Sequence, residues 1–351
     1  MLDAATAPVD KDPEQTLMHA EAHESGEAVA RFLTGNAETL ARIATRLRNS
    51  PPAMIVTCAR GSSDHAATFG KYLFETLIGL PTASAALSVA SVFAAPINAQ
   101  GALCIAISQS GRSPDLLRTV EAYKAAGAFV VALVNDDSSP LADLADERLS
   151  LRAGPERSVA ATKSYIASLV GLAALAGHWA QDDALLEALM RLPEDLPRAF
   201  ALDWSAAMPI LSQARNLFVM GRGYSFAVAQ EAALKLKETS GLHAEAFSSA
   251  EVRHGPMAIV QQGFPVLAFA TSDKAGDDVR TAASEFRDRD AAVAMADASD
   301  PASLLPAMTS HPVIEPILMI QSFYGFVNSL SVARGFDPDT PPHLKKVTQT
   351  L

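Results

Sequence analysis

Two apolar rhythms alternate along this chain. Short, nearly unbroken apolar runs, such as Met54-Ile55-Val56-Thr57-Cys58 and Ala102-Leu103-Cys104-Ile105-Ala106-Ile107, have the length and composition of strands buried on both faces. Longer stretches with apolar residues three and four apart read as helices. From Gln15 to about Asn49 the rhythm is helical and predicts two helices. It then predicts a strand over 54–58, a helix over 64–78, a strand over 82–86, a helix over 88–95, a strand over 102–107, a helix over 114–126, a strand over 128–134 and a turn at Asn135-Asp136-Asp137. A weaker strand near 147–151 precedes a loop at 153–158 and a long helix from about Ala160 to Gln181. Such alternation predicts an α/β fold with a parallel, doubly wound sheet. Segment 182–203, with Pro193 and Pro197, reads as a connection containing one helix, and a second α/β unit follows from about 212 to 335. The tail at 337–342 is too rich in proline for a helix.

The alternation contains a repeat. Arg60-Gly61-Ser62-Ser63 and Arg222-Gly223-Tyr224-Ser225 each follow a strand-like run and lead into a helical stretch. Each stretch reaches a Gly-Leu pair, Gly79-Leu80 and Gly241-Leu242, and both landmarks recur at the same offset. Two copies of one α/β unit account for that spacing.

The copies differ in their polar residues. In copy one, Ser108-Gln109-Ser110-Gly111-Arg112-Ser113 joins a strand to a helix opening at Pro114-Asp115-Leu116-Leu117. Free N–H groups and the helix dipole favour an anion there, and the serines and glutamine add donors. The loop holds no lysine and no G-x-x-x-x-G-K-S/T, so a small phosphorylated metabolite fits better than a nucleotide. The same residues would also suit an ordinary serine-capped helix. In copy two the matching stretch, Thr271-Ser272-Asp273-Lys274, runs into Asp277-Asp278, carboxylates expected to repel a phosphate.

Copy two instead concentrates proton-transfer groups. Glu231 and Glu238 share one helical face with Lys235 between them. That pattern is either a surface helix laced with ion pairs or a base that moves a carbon-bound proton. His254, before Gly255-Pro256, is either a loop-packing group or an acid/base catalyst at a sugar ring oxygen. Lys345 and Lys346 are either exposed charges or a tail amine folded over a site to attack a carbonyl. His19 and His23 stand one helical turn apart, but no H-E-x-x-H occurs and no metal site is expected.

Composition narrows the class. At 351 residues and 49% hydrophobic, the chain can bury two cores. A net charge of −11 without a basic stripe argues against nucleic acid. Cys58 and Cys104 both fall inside expected strands, so they read as small core residues in a reducing cytoplasm. No signal peptide and no uncharged apolar stretch of about 18 residues is expected.

Taken together, these motifs resemble the tandem sugar-isomerase (SIS) domain family. The chain is similar to the isomerase half of glutamine–fructose-6-phosphate aminotransferases, and closer to free-standing type II glucosamine-6-phosphate deaminases. The resemblance covers roughly residues 15–351 and rests on Ser108-Gln109-Ser110-Gly111, Val159-Ala160-Ala161-Thr162-Lys163, Ala233-Leu234-Lys235-Leu236-Lys237-Glu238, His243-Ala244-Glu245-Ala246, Glu251-Val252-Arg253-His254-Gly255-Pro256 and Pro342-His343-Leu344-Lys345-Lys346-Val347-Thr348. It implies an N-terminal helical segment (1–45), a phosphate-binding SIS domain (46–185), a connection (186–207), a catalytic SIS domain (208–336) and a tail (337–351). Ser63, Ser108, Gln109, Ser110 and Ser113 would hold the sugar phosphate, with Gly61, Ser62 and Val159 also against the substrate. Glu238 would be the base, Glu231 would help to position the sugar, and Lys346 falls where the aminotransferases carry a Schiff-base lysine. His254 would assist ring opening from the partner subunit of a homodimer. No metal or organic cofactor and no membrane are implied. Three departures from the aminotransferases matter: Ala161 stands where they have a serine, no room is expected for a glutaminase domain with its cysteine nucleophile, and the ending at 342–348 differs from theirs and resembles the stand-alone deaminases. The implied activity is amino-sugar-phosphate deamination coupled to aldose–ketose isomerisation. Its rivals are a related phosphosugar isomerase, a glutaminase-less aminotransferase-like enzyme, a deglycase and a non-catalytic sugar-phosphate sensor.

Overall fold

The computed structural model describes residues 11–346; residues 1–10 and 347–351 lie outside it, and with them the outer ends of segments 1–45 and 337–351, including Val347-Thr348 of the tail motif. In chain order come α1 (Leu17–His23), α2 (Ser25–Asn49), β1 (Ile55–Cys58), α3 (Ser62–Leu73), β2 (Thr82–Ser84), α4 (Ser88–Ser91), β3 (Leu103–Ser108), α5 (Pro114–Ala125), β4 (Phe129–Val134), α6 (Pro140–Leu144) and β5 (Glu147–Ser150). There follow α7 (Lys163–Ala180), α8 (Asp183–Phe200), α9 (Met208–Leu211), β6 (Asn216–Gly221), α10 (Tyr224–Ser240), β7 (His243–Ser248), β8 (Pro265–Ala270), α11 (Lys274–Arg287), β9 (Ala292–Asp297) and α12 (Glu315–Ala333). Two compact units emerge. Of the described residues, the first comprises Ser25–Glu156 and Lys163–Pro193; the second comprises those up to Glu24, Arg157–Thr162 and Glu194–Lys346.

The first unit is built on a wholly parallel five-stranded sheet, ordered β2-β1-β3-β4-β5. Every residue of β3 is buried, as a strand covered on both faces requires. Helix α7 is buried along nearly its whole length and packs on α2. It starts at Lys163 rather than near Ala160. Buried Glu156 binds the first turn there, accepting the Ser164 N–H at 3.1 Å and the Ser164 hydroxyl at 2.6 Å. Cys58 and Cys104 lie free in this core, both fully buried, with their sulfurs 3.8 Å apart on neighbouring strands.

The second unit holds a parallel four-stranded sheet ordered β7-β6-β8-β9. Matched strand for strand, this is the order of β1 to β4, so the sequence repeat is a structural repeat. Its most telling mark is backbone conformation. Gly61 (φ 55°, ψ −133°) and Gly223 (φ 58°, ψ −128°) open α3 and α10 in the same geometry, which favours glycine over any residue with a Cβ. Both helical stretches stop at a left-handed glycine, α10 directly at Gly241 and α3 after a widened π turn over Phe74–Ile78 that reaches Gly79.

Helix α12 departs from expectation. It is long and apolar enough by composition to cross a membrane, yet 78% of that stretch is buried inside the protein. Its partners include α10 and α1, and it carries buried Glu315, Gln321 and Asn328, as a core helix with polar anchoring points does.

Candidate active site

In the first unit the strand order reverses between β1 and β3, and ligands of open α/β sheets bind beyond the C-terminal ends of strands at such a point. The two segments expected to hold phosphate stand there on paired strands. Gly61, Ser62 and Ser63 open α3 just after β1; Ser108 ends β3, and Gln109, Ser110 and Ser113 lead into α5. The Ser108 hydroxyl accepts the Gly111 N–H at 3.0 Å and so shapes the turn, keeping its own O–H to donate. Gly111 has φ 64°, and a Cβ there would come within 2.2 Å of Ser139 Oγ. Ser113 occupies the N-cap of α5, but its side chain makes no capping bond, so the ordinary serine cap is not what this residue provides. Arg60, which the sequence marked only as part of the repeat, reaches the same end of the sheet. Its Nε and Nη2 donate to buried Asp115 at 3.0 and 2.8 Å, and its side chain stays 56% exposed.

The second unit closes the matching position from within. Asp273 caps α11, accepting the amides of Ala275 and Gly276 at 3.1 Å each. The expectation that Asp277 and Asp278 repel an anion needs correction for Asp278. Its carboxylate accepts from Arg222 at 2.8 Å, from Arg253 at 3.3 Å and from the Ser249 hydroxyl. It is the counterpart of Asp115, as Arg222 is of Arg60, so the internal cap, rather than bare charge, separates the copies. Burial works against the Asp278 charge, but Ser249, Arg222 and Arg253 outweigh it and hold the carboxyl below the usual aspartate range. A folded-state value below the unfolded one stabilises above the unfolded pKa, near 4, and that stability is lost as pH falls through the lower folded value. Asp278→Asn is therefore expected to cost about 1 kcal/mol at pH 7 and to flatten the acid limb below about pH 4 in urea titrations. A limb as steep as the parent's would count against this account.

In α10, spacing places Glu231, Lys235 and Glu238 on one face. The structure rejects the surface-helix reading. Glu231 and Lys235 are fully buried, and only Glu238 reaches outward, at 20% exposure. Lys235 Nζ lies 2.6 Å from Glu238 and 3.3 Å from Glu231. Burial opposes its charge, but the two carboxylates prevail and hold the ammonium above the ordinary lysine range. The Tyr324 hydroxyl on α12 donates to Glu231 at 3.3 Å. Lys235 and Tyr324 thus brace the carboxylates from inside. The sequence pointed to Lys235 only as an ion-pair partner and carried no signal for Tyr324.

Glu238 lines a cleft of about 450 Å³ with Leu234, Lys237, Phe336, Pro342 and Leu344. The tail therefore folds back over this face of α10. Lys346 Nζ donates to the Ser158 carbonyl at 2.7 Å, and the Val159 N–H donates to the Asp339 carbonyl at 3.4 Å, so the structure brings Val159 and Lys346 together. Lys346 is half-buried, whereas Lys345 is exposed. His254 stands apart: it is exposed at the end of a short helical turn, with no hydrogen bond among the described residues to Glu238, Val159 or Lys346.

The family model "SIS domain" matches residues 50–177 and 210–333. The chain is 34% identical to a glutamine–fructose-6-phosphate aminotransferase (isomerizing) from Thermococcus kodakarensis, over 94% of this chain and 57% of that protein. It thus spans little more than half the length of that relative. A crystal structure from Silicibacter pomeroyi DSS-3, named provisionally as a phosphosugar isomerase, is 44% identical with a TM-score of 0.88, over 92% of this chain and 100% of that one. A glucosamine-6-phosphate deaminase from Thermotoga maritima superposes with a TM-score of 0.78 over 95% of this chain and 98% of that one; at 22% identity it shows the fold alone.

Proposed function

The chain belongs to the SIS domain family, and from that premise we propose that it is an amino-sugar-phosphate deaminase/isomerase converting glucosamine 6-phosphate and water to fructose 6-phosphate and ammonia. The observation that carries this reading is the buried Glu231–Lys235–Glu238 array, which presents one braced carboxylate to a cleft lined by the tail. In the open-chain sugar the C1 aldehyde acidifies the C2 proton. Glu238 takes that proton, and the enolamine is reprotonated at C1 to give an imine at C2. Water hydrolyses the imine to the ketone and releases ammonia. His254, from the partner subunit of a homodimer, moves the proton that opens the ring. The Lys346 amine meets the sugar at C2, the carbon that becomes the carbonyl: it displaces ammonia from the C2 imine, and water cleaves the resulting lysine imine to the ketone and the free amine. Val159 and, acting through Lys235 and Glu238, buried Glu231 help to position the sugar. The phosphate falls to Gly61, Ser62, Ser63, Ser108, Gln109, Ser110 and Ser113. Two free, buried cysteines support a reducing cytoplasm as the setting.

The 44%-identical neighbour favours a second reading, aldose–ketose isomerisation without loss of an amine. Ammonia release from a panel of amino-sugar 6-phosphates decides between them, with glutamine-dependent synthesis assayed in parallel. The expected result is ammonia and fructose 6-phosphate in equal amounts from glucosamine 6-phosphate. Ketose formation from a plain aldose phosphate, with no ammonia from any amino sugar, would replace the deaminase with an isomerase.

A further inference from the structure

Three segments of the second unit, far apart in sequence, meet around one short helix. The first amides of α1, those of Leu17 and Met18, donate to the Asp339 carboxylate at 2.9 and 2.8 Å. Lys11 Nζ donates to the same carboxylate at 2.6 Å and to Asp337 at 3.0 Å. The tail is thus pinned to the start of α1 shortly before Lys346. About one turn further along α1 stands Glu21, only 6% exposed. Its carboxylate accepts the backbone N–H groups of Arg157 and of Ser158, the latter at 3.2 Å. The carbonyl of Ser158 in turn accepts Lys346 Nζ, and the next amide, that of Val159, donates to the Asp339 carbonyl. The circuit is closed. Helix α1 holds the loop through Glu21 and the tail through Asp339, and loop and tail hold each other.

A buried carboxylate is costly unless its oxygens accept hydrogen bonds, and two consecutive amides form a concavity suited to an anion. Glutamine offers one accepting oxygen and would turn an NH2 group against the second amide. The Ser158 side chain does not fix the loop, because its buried hydroxyl has no partner among the described residues. We propose that Glu21 is a positioning residue: by holding the Arg157 and Ser158 amides it fixes the carbonyl on which the Lys346 amine rests, while Asp339 fixes the tail that delivers that amine. Neither residue touches the sugar. The inference rests on the reading of Lys346 as the amine that meets the sugar carbonyl.

The test uses the full chain with Glu21→Gln and Asp339→Asn, and with Glu27→Gln on the exposed face of α2 as a control. Misplacing a reacting group should lower kcat about tenfold to a hundredfold while KM stays within about twofold. Limited acetylation with acetic anhydride gives a readout independent of turnover. Tandem mass spectrometry compares acetylation of Lys346 with that of exposed Lys345, an internal standard in the same peptide. The Lys346/Lys345 ratio is expected to rise in both variants and to stay at the parent value in Glu27→Gln. A parent-like ratio in Glu21→Gln overturns the proposal, whether or not kcat has fallen. Lys346→Met separates the two layers. Full turnover in that variant removes the catalytic reading of Lys346, and the labelling ratio alone then decides whether Glu21 positions the amine. If Glu21→Gln does not fold, Asp339→Asn carries the same two readouts.

Discussion

Glu238→Gln is expected to cut turnover about 10²–10⁴-fold, the range that general-base catalysis supplies, while substrate affinity survives. The substitution is clean because the surrounding charges remain paired. Its amide oxygen can still accept from Lys235, and Glu231 stays 3.3 Å from that ammonium, so no uncompensated buried charge is left. Exchange of the substrate's C2 hydrogen with deuterated water, followed by NMR, isolates the proton transfer from ring opening and hydrolysis. A variant that exchanges at the parent rate removes Glu238 as the base, and Glu231, the next candidate by spacing, would first have to leave its buried pairing with Lys235. The same variant probes the assembly. Mixing inactive Glu238→Gln chains with inactive His254→Ala chains should restore part of the activity if a two-fold dimer shares its sites. Mixtures that stay inactive despite demonstrated subunit exchange would exclude sharing.

Replacing Ser110 and Ser113 together by alanine is expected to weaken sugar-phosphate binding by about 3–6 kcal/mol, two hydrogen bonds to a charged ligand at about 1.5–3 kcal/mol each. The geometry makes this a test of binding rather than of folding. Ser113 makes no side-chain cap to α5, and Pro114 at the first helical position already sets the entry angle. Thermal unfolding of the double variant should therefore match the parent. Calorimetry showing parent-like affinity would remove the phosphate from this loop.

Most of the fold could be read from the sequence, because parallel strands and their covering helices write hydrophobic periodicity plainly. The repeat was legible for a sharper reason: Gly61 and Gly223 are tied to a backbone geometry that a side chain disfavours, so both copies keep glycine. The candidate site was only half legible. Ion pairs three and four residues apart look the same on a wet helix and in a core. What buries Glu231 and Lys235 includes α12, and Tyr324 lies 93 residues beyond Glu231. The neutralisation of Asp278 was hidden likewise, since Arg222 and Arg253 come from other elements. Glu21 gave no signal at all: one glutamate in a short amphipathic helix looks like any solvated charge until its amide partners, 136 residues away, are known.

The discontinuous make-up of the second unit shapes how this protein is born. Thr16 donates to the Asn328 side chain at 2.7 Å across 312 residues, and the Gln321 amide donates to the Ala22 carbonyl across 299. During synthesis α1 leaves the ribosome well before α12 and finds no partner for these bonds until α12 has been made. At about 5–20 residues per second that wait lasts roughly 15–60 s. Throughout it a seven-residue helix, far too short to persist alone in water, must stay unstructured and uncommitted, although the described residues of the first unit are complete once Pro193 has been made. Completion of the second unit is thus a late, long-range closure that gathers both ends of the described chain.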